Sequence, residues 1–148
     1  MGAAMALFLS SCLFGPRSLD EAAELADRRQ EWREAGIRNY SFTQTLSGCF
    51  CPPDATQPMR IRVRDGRVVE VRSVETTSLL NVAEGHTVEQ LFDKIQTAIA
   101  GEADHMAVDY APDLGYPRRI SVSDNVPDSG STWTITDFAA EGDRNKEY

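Results

Sequence analysis

Residues 59–71, MRIRVRDGRVVEV, contain the pattern that decides the fold. Apolar residues alternate with arginines from residue 59 to residue 64, and apolar residues resume after Asp65 and Gly66. A period of two on either side of an Asp-Gly pair is typical of a β-hairpin with one buried and one solvated face. The stretch therefore predicts an antiparallel sheet.

The register of this hairpin depends on its turn. A two-residue loop would pair Ile61 with Glu70 and place a carboxylate on the apolar face. A one-residue bulge at Gly66 would instead pair Ile61 with Val69 and Arg60 with Glu70. We therefore predict the bulge.

Outward from the hairpin, the chain shows two helices and four further strands. A helix is expected from Leu19 to Ala35. The strongest helical pattern follows a capping box of Thr87 and Gln90, with apolar residues at spacings of 3, 4, 7 and 11, namely Val88, Leu91, Phe92, Ile95 and Ile99. Period-two strands are predicted at Tyr40–Leu46 and Met106–Tyr110, and around Ile120 to Val122 and Trp133 to Ile135. This gives an α+β fold with two helices packed on an antiparallel sheet, in the order α-β-β-β-α-β-β-β.

The predicted boundaries divide the chain into a leader, a tether, one domain and a tail. They are a signal peptide at 1–11, a lipidated tether at 12–18, a single α+β domain at 19–138 and a frayed acidic tail at 139–148.

The first residues predict export. Residues 1–11 carry no charge and include a seven-residue apolar block, as in a secretory leader. Leu9-Ser10-Ser11-Cys12 resembles the bacterial lipobox, whose cysteine is fatty-acylated, for example with palmitate, and becomes the new N-terminus. Because Met1 and Gly2 bring no positive charge, we expect the true start upstream. Leu13 after the cysteine favours the outer membrane where the host has one.

Charge and hydropathy exclude several partners. The 15 basic and 23 acidic residues give a formal net charge of -8 and remove the electrostatic basis for binding nucleic acid. No apolar run approaches the length of about 18 residues that spans a bilayer, so we expect the membrane to be contacted through the lipid anchor only.

Five sequence elements together resemble the bacterial domain-of-unknown-function family 6174, whose members are often lipoprotein-like. They are Tyr40-Ser41-Phe42-Thr43, Cys49-Phe50-Cys51-Pro52-Pro53, Val63-Arg64-Asp65-Gly66-Arg67-Val68, Leu91-Phe92, and Tyr110 to Ile120. The resemblance runs from about Asn39 to Phe138. It implies a shared fold and an envelope location, and it brings no activity.

Cys49 and Cys51 are the thiols left once Cys12 is assigned to lipid. An exported compartment favours a disulfide between them, although a bridge across two residues needs a bend, which Gly48 and Pro52 permit. Free or intermolecular thiols are the alternative. The spacing is not the CxxC of thiol oxidoreductases, so a redox role is disfavoured.

A metal site is the next possibility for these cysteines. The two thiols with His86 and His105 match no zinc template, so we expect no metal and no cofactor. An exposed copper(I) site on the two thiolates is the version that a metal-handling function would use.

Arg60, Arg62 and Arg64 form a cationic stripe on the predicted solvated face of the hairpin. Such alternation ordinarily keeps a sheet face wet, but the stripe is also a possible interaction surface for an anion or an acidic partner. The chain lacks GxSxG, HExxH, P-loop and GxGxxG motifs, so the sequence offers no local signature of catalysis.

These observations favour a non-enzymatic, envelope-anchored binding or interaction domain whose partner is an envelope protein or a small ligand. The sheet face and the loop from Cys49 to Pro58 are its expected contact surface. One alternative is a thiol- or metal-handling protein for copper or zinc that acts through Cys49 and Cys51. A second is an enzyme assembled from distant residues, for which a pocket holding His105 and Asp109 would be the sign.

Overall fold

The computed structural model describes residues 16–127 and 129–142, with side chains of the first helix described from Leu19 onward. The elements in chain order are α1 (Pro16–Ala35), β1 (Tyr40–Ser47), α2 (Pro53–Thr56), β2 (Met59–Arg64), β3 (Arg67–Ser73), α3 (Val88–Ala100), β4 (His105–Tyr110), β5 (Pro117–Ser123) and β6 (Ser131–Ala140). A 3₁₀ turn at Val82–Glu84 precedes α3. The strands form one antiparallel sheet in the order β3-β2-β1-β6-β5-β4.

The predicted α+β class and antiparallel sheet are confirmed, while the predicted element order is incomplete. The short helix α2 lies between β1 and β2, where only a loop was expected, because Pro53 starts a helical turn without needing a backbone donor. The chain therefore has three helices in its described part, of which α2 has no buried residue.

Helix α3 forms for the local reasons that its sequence shows. Thr87 accepts a hydrogen bond from the Gln90 amide, the Gln90 side chain accepts one from the Thr87 amide, and Gly101 caps the other end. Its residues Val88, Leu91, Phe92 and Ile95 are buried against the sheet.

Helix α1 lies beside α3 and contributes a thinner stripe to the core. Trp32 makes edge-to-face contacts with Tyr40, Tyr116 and Phe138, at centroid distances of 5.3, 6.2 and 5.9 Å. Arg29 joins the two helices, since its guanidinium lies 3.0 Å from a Glu89 carboxylate oxygen and 2.8 Å from one of Asp93.

The hairpin of β2 and β3 has a different register from the one predicted. Asp65 and Gly66 both have positive φ, 49° and 73°, and form a two-residue turn with Arg64 opposite Arg67. The irregularity lies further along β3, where Val69 is the extra residue between the pairs Val63–Val68 and Arg62–Glu70. The prediction of a bulge at Gly66 was therefore wrong.

The observed bulge at Val69 also pairs apolar residues of β2 with apolar residues of β3. Beyond it Ile61 pairs with Val71, and both are fully buried, while Val69 is half exposed. Arg60 consequently lies opposite Arg72, not opposite Glu70. An extra residue in one strand shifts all later side chains, which is why a two-residue turn leaves no carboxylate in the core.

The described ends of the domain extend beyond the predicted boundaries of 19 and 138. Helix α1 begins at Pro16, within the segment predicted as a tether. Strand β6 continues to Ala140, which pairs with Tyr40, and the Glu141 amide donates to the Asn39 carbonyl. Backbone contacts with Asn39 and Tyr40 thus continue the ordered structure into the segment predicted as a frayed tail. The predicted signal peptide, Cys12 and residues 143–148 lie outside the described residues.

Candidate functional site

Cys49 and Cys51 form a disulfide in the structure, with their Cα atoms 5.2 Å apart. Gly48 supplies the bend just before it, with φ of +74°. The residue between the cysteines, Phe50, is 94% exposed. In this state neither sulfur is a thiolate, so neither is available as a ligand for copper or zinc.

The guanidinium groups of the arginine stripe are engaged within the protein. Arg60 donates to the hydroxyl of Ser41 at 2.8 Å and to the carbonyl of Asp137 at 2.9 Å. Arg62 and Arg64 both face the carboxylate of Glu141, Arg62 with its Nε 3.7 Å from an oxygen. Part of the positive charge that a partner would need is therefore neutralised on the protein itself.

The two histidines lie apart. His105 is exposed in β4 and its Nε2 lies 2.9 Å from the side-chain oxygen of Asn125, whereas His86 lies in the segment that leads into α3. Within residues 16–127 and 129–142, no three His, Cys, Asp or Glu side chains are grouped to hold a metal ion.

The structure instead brings His86 together with two residues that the sequence did not single out as a site, Lys94 and Trp133. They line a groove of about 560 Å³ where α3 crosses β5 and β6. The helix forms one wall, which carries polar side chains that include Asp93, Lys94 and Thr97. The strands form the other wall, which is mainly apolar and includes Ile120, Val122 and Trp133. Volumes of 300 to 1,000 Å³ are typical of small-molecule sites.

A buried glutamine of the central sheet orients His86. The Gln44 amide donates to the Glu84 carbonyl at 3.1 Å, which turns its oxygen toward the backbone amide of His86 at 3.2 Å and the ring nitrogen Nδ1 at 3.0 Å. An amide oxygen only accepts hydrogen bonds, so Nδ1 of His86 carries the proton. The other nitrogen, Nε2, is then an acceptor with no hydrogen-bond partner among the described residues.

Gly85 allows the preceding loop to lie this close to the sheet. A Cβ at this position would come within 2.8 Å of a Val71 methyl group and 3.1 Å of the Ile61 Cδ1. A larger residue here would push these side chains aside, so glycine lets the segment just before His86 lie against β2 and β3.

Lys94 lies over the indole of Trp133 with its ammonium 4.5 Å from the ring centroid. The ring of His86 lies at a steep angle of 69° to the same indole, with 4.8 Å between the two centroids. The neighbouring carboxylate, Asp93, is held by Arg29, and no carboxylate in the described part of the chain forms an ion pair with Lys94. Lys94 is therefore a half-buried cation that is stabilised by an aromatic face and has no counter-ion among the residues that the structure describes.

Burial and charge keep His86 neutral. Burial, with the positive charge of Lys94 adding to it, lowers the pKa of His86 to about 4, and burial also lowers the pKa of Lys94. Near neutral pH the groove therefore offers one cation, one neutral imidazole acceptor and an aromatic wall.

We expect the stability of the protein to fall as the pH drops from about 6.5 to about 4, in part through His86. Over this window the unfolded chain takes up a proton on His86 and the folded chain does not, because the folded pKa is the lower one. Urea unfolding at pH 7, 6, 5 and 4.5 measures the effect. In His86→Gln the fall should be shallower than in the native protein, and identical slopes would contradict this assignment.

The protein families of known sequence place this chain in a family but do not give it an activity. No helix in the described part of the chain has the length and apolar character needed to cross a membrane. No curated protein matches the chain at a significant level. A family model, however, matches residues 24–140, which include every strand, α3 and the groove. On this match the chain belongs to the family of unknown function DUF6174.

Proposed function

We propose that the protein is an exported, lipid-anchored, non-enzymatic binding protein of the bacterial cell envelope, and that it binds a small ligand in the groove between α3 and strands β5 and β6. The observation that carries the binding role is the groove itself, where among the described residues the Lys94 ammonium has no carboxylate partner and the His86 Nε2 has no hydrogen-bond partner. The anchoring role is supported by the lipobox-like Leu9-Ser10-Ser11-Cys12.

The groove is a better candidate for the contact surface than the arginine stripe. Arg62 and Arg64 share the carboxylate of Glu141, and Arg60 is hydrogen-bonded along the sheet. An incoming acidic group would have to displace these contacts, whereas it would displace no ion pair at Lys94.

The anchor is tested by labelling cells that express the full chain with radioactive palmitate. We expect label on the native protein and its recovery with membranes, and loss of both in Cys12→Ser. Cys49→Ser/Cys51→Ser is the matched control and should stay labelled. An unlabelled native protein that retains residues 1–11 would overturn the anchoring role.

The binding role is tested on the full chain carrying Cys12→Ser, with the indole N–H signals of the two tryptophans as reporters. Trp133 lines the groove and Trp32 is 4% exposed in the core, so Trp32 serves as the internal control. A set of small neutral, anionic and cationic organic probes should include compounds that shift the Trp133 signal alone. If no probe moves it, the groove is not the binding site.

The same preparation separates the thiol- or metal-handling alternative. A count of free thiols without reductant should give none in Cys12→Ser, because Cys49 and Cys51 are joined. Two free thiols together with stoichiometric copper or zinc would favour that alternative over ligand binding.

A further inference from the structure

We infer that the groove selects a small organic monocarboxylate that carries a hydroxyl or N–H group and an apolar body; the inference rests on the proposed binding role. The carboxylate would pair with Lys94, the hydroxyl or N–H would donate to Nε2 of His86, and the apolar body would pack on Trp133 and the aliphatic wall.

The charge of the ligand follows from the ion pairs around Lys94. A half-buried ammonium without a carboxylate partner bears a desolvation cost, and the contact with the Trp133 ring offsets only part of it. Asp93, the carboxylate next in sequence, is bound to Arg29 at 2.8 Å and is thereby kept from Lys94. An anionic ligand would supply the missing counter-ion.

One negative charge fits the groove better than two. Lys94 is the one cationic residue among those that line it, and the carboxylate of Asp93 lies on the same wall. A dianion such as a phosphate monoester would therefore leave one charge uncompensated beside Asp93. A monocarboxylate matches the single ammonium.

The hydrogen-bond donor follows from the state of His86. Since Gln44 fixes the proton on Nδ1, His86 presents Nε2 as an acceptor, which a hydroxyl or N–H satisfies and a second carboxylate does not. A site that aims an acceptor at a ligand group discriminates against analogues that lack the donor, because the polar atom is then left unpaired.

The apolar component follows from the opposite wall. Ile120, Val122 and Trp133 give it an aliphatic and aromatic surface, against which a ring or short alkyl body packs. A ligand that is polar on every side would cover this apolar surface without gaining binding free energy from hydrophobic contact.

The experiment compares four probes on the full chain carrying Cys12→Ser, with the Trp133 indole signal as readout. The probes are 3-hydroxybenzoate, benzoate, 3-hydroxybenzyl alcohol and phenyl phosphate. We expect 3-hydroxybenzoate to bind at least tenfold more tightly than the neutral alcohol, severalfold more tightly than benzoate, and more tightly than phenyl phosphate.

Two variants assign the contacts. Lys94→Gln should lower the affinity for 3-hydroxybenzoate to about that for the alcohol and so remove the preference for the carboxylate, and Lys94→Arg should restore part of that preference. His86→Phe should remove the difference between 3-hydroxybenzoate and benzoate. Unchanged Trp32 signals in every variant show that the fold is intact.

The possible failures are distinguishable. If the alcohol or phenyl phosphate binds as well as 3-hydroxybenzoate, or if Lys94→Gln leaves the preference intact, the ligand class is wrong while the groove remains a binding site. If none of the probes shifts Trp133, this inference fails, and the wider probe set decides whether the binding role fails with it.

Discussion

Phe42→Ala should lower the free energy of unfolding by about 3 to 5 kcal/mol, the range for truncation of a buried phenylalanine. Phe42 has no exposed surface and lies in the middle of β1, which is hydrogen-bonded on both sides, to β2 and to β6. Its ring stacks on that of Tyr40 at 6.0 Å between centroids. Truncation leaves a cavity where both halves of the sheet meet, and urea unfolding at neutral pH measures the loss.

Phe50→Ala is the matched control, because it removes the same atoms from a site that is 94% exposed. Its effect should stay within about 0.5 kcal/mol, as for surface substitutions in general. Equal losses in the two variants would contradict the placement of the core.

Gly115→Ala should lower the free energy of unfolding by about 2 to 5 kcal/mol, the sum of a conformational and a packing cost. Gly115 has φ of +79°, where a Cβ costs about 1 to 2 kcal/mol. The added Cβ would also lie 2.5 Å from the carbonyl oxygen of Arg28 in the backbone of α1. Backbone cannot rotate away as a side chain can, so the turn or the helix must move, at an overpacking cost of about 1 to 3 kcal/mol.

Gly66→Ala separates the two causes. Gly66 has nearly the same φ, +73°, but nothing within 4 Å of the added Cβ. It should therefore lose only the conformational part, about 1 to 2 kcal/mol. The difference between the variants, measured by thermal or urea unfolding, reports the contact between the turn and α1. Equal losses would mean that α1 does not pack on this turn.

The elements that the sequence predicted correctly are those whose causes are local. Helix α3 carries its capping box, its apolar spacing and its terminal glycine within 15 residues, and all three are confirmed. Strand β1 likewise follows from period-two alternation between Tyr40 and Leu46. Neither needs knowledge of the rest of the chain.

The prediction for the turn of the β2–β3 hairpin was wrong because a segment distant in sequence determines the turn type. The Gly66 amide donates to the Arg38 carbonyl at 3.1 Å, and the Asp65 amide donates to the side chain of Asn39 at 2.9 Å. These contacts from the segment before β1 hold the two-residue turn, and the register conflict is resolved by the bulge at Val69 instead. Local pattern alone does not contain that choice.

The candidate site could not be predicted from the sequence for a similar reason. Gln44, His86, Lys94 and Trp133 come from four separate segments, and the path of α3 across β5 and β6 brings them together. One signal was present: the chain has only two lysines, at 94 and 146, against thirteen arginines. This count makes Lys94 unusual in the chain, but it does not indicate which side chains surround it.

The position of β6 in the sheet determines which strand pairs can form last. This strand is the last in sequence among the described residues, yet it is inserted between β1 and β5 and joins β1–β3 to β4–β5. A growing polypeptide that has emerged only as far as residue 130 carries two unconnected half-sheets and cannot seal its interior. The sheet is therefore completed by pairs of residues far apart in sequence, such as Leu46 and Trp133, and such contacts form slowly because a long stretch of chain must first be closed.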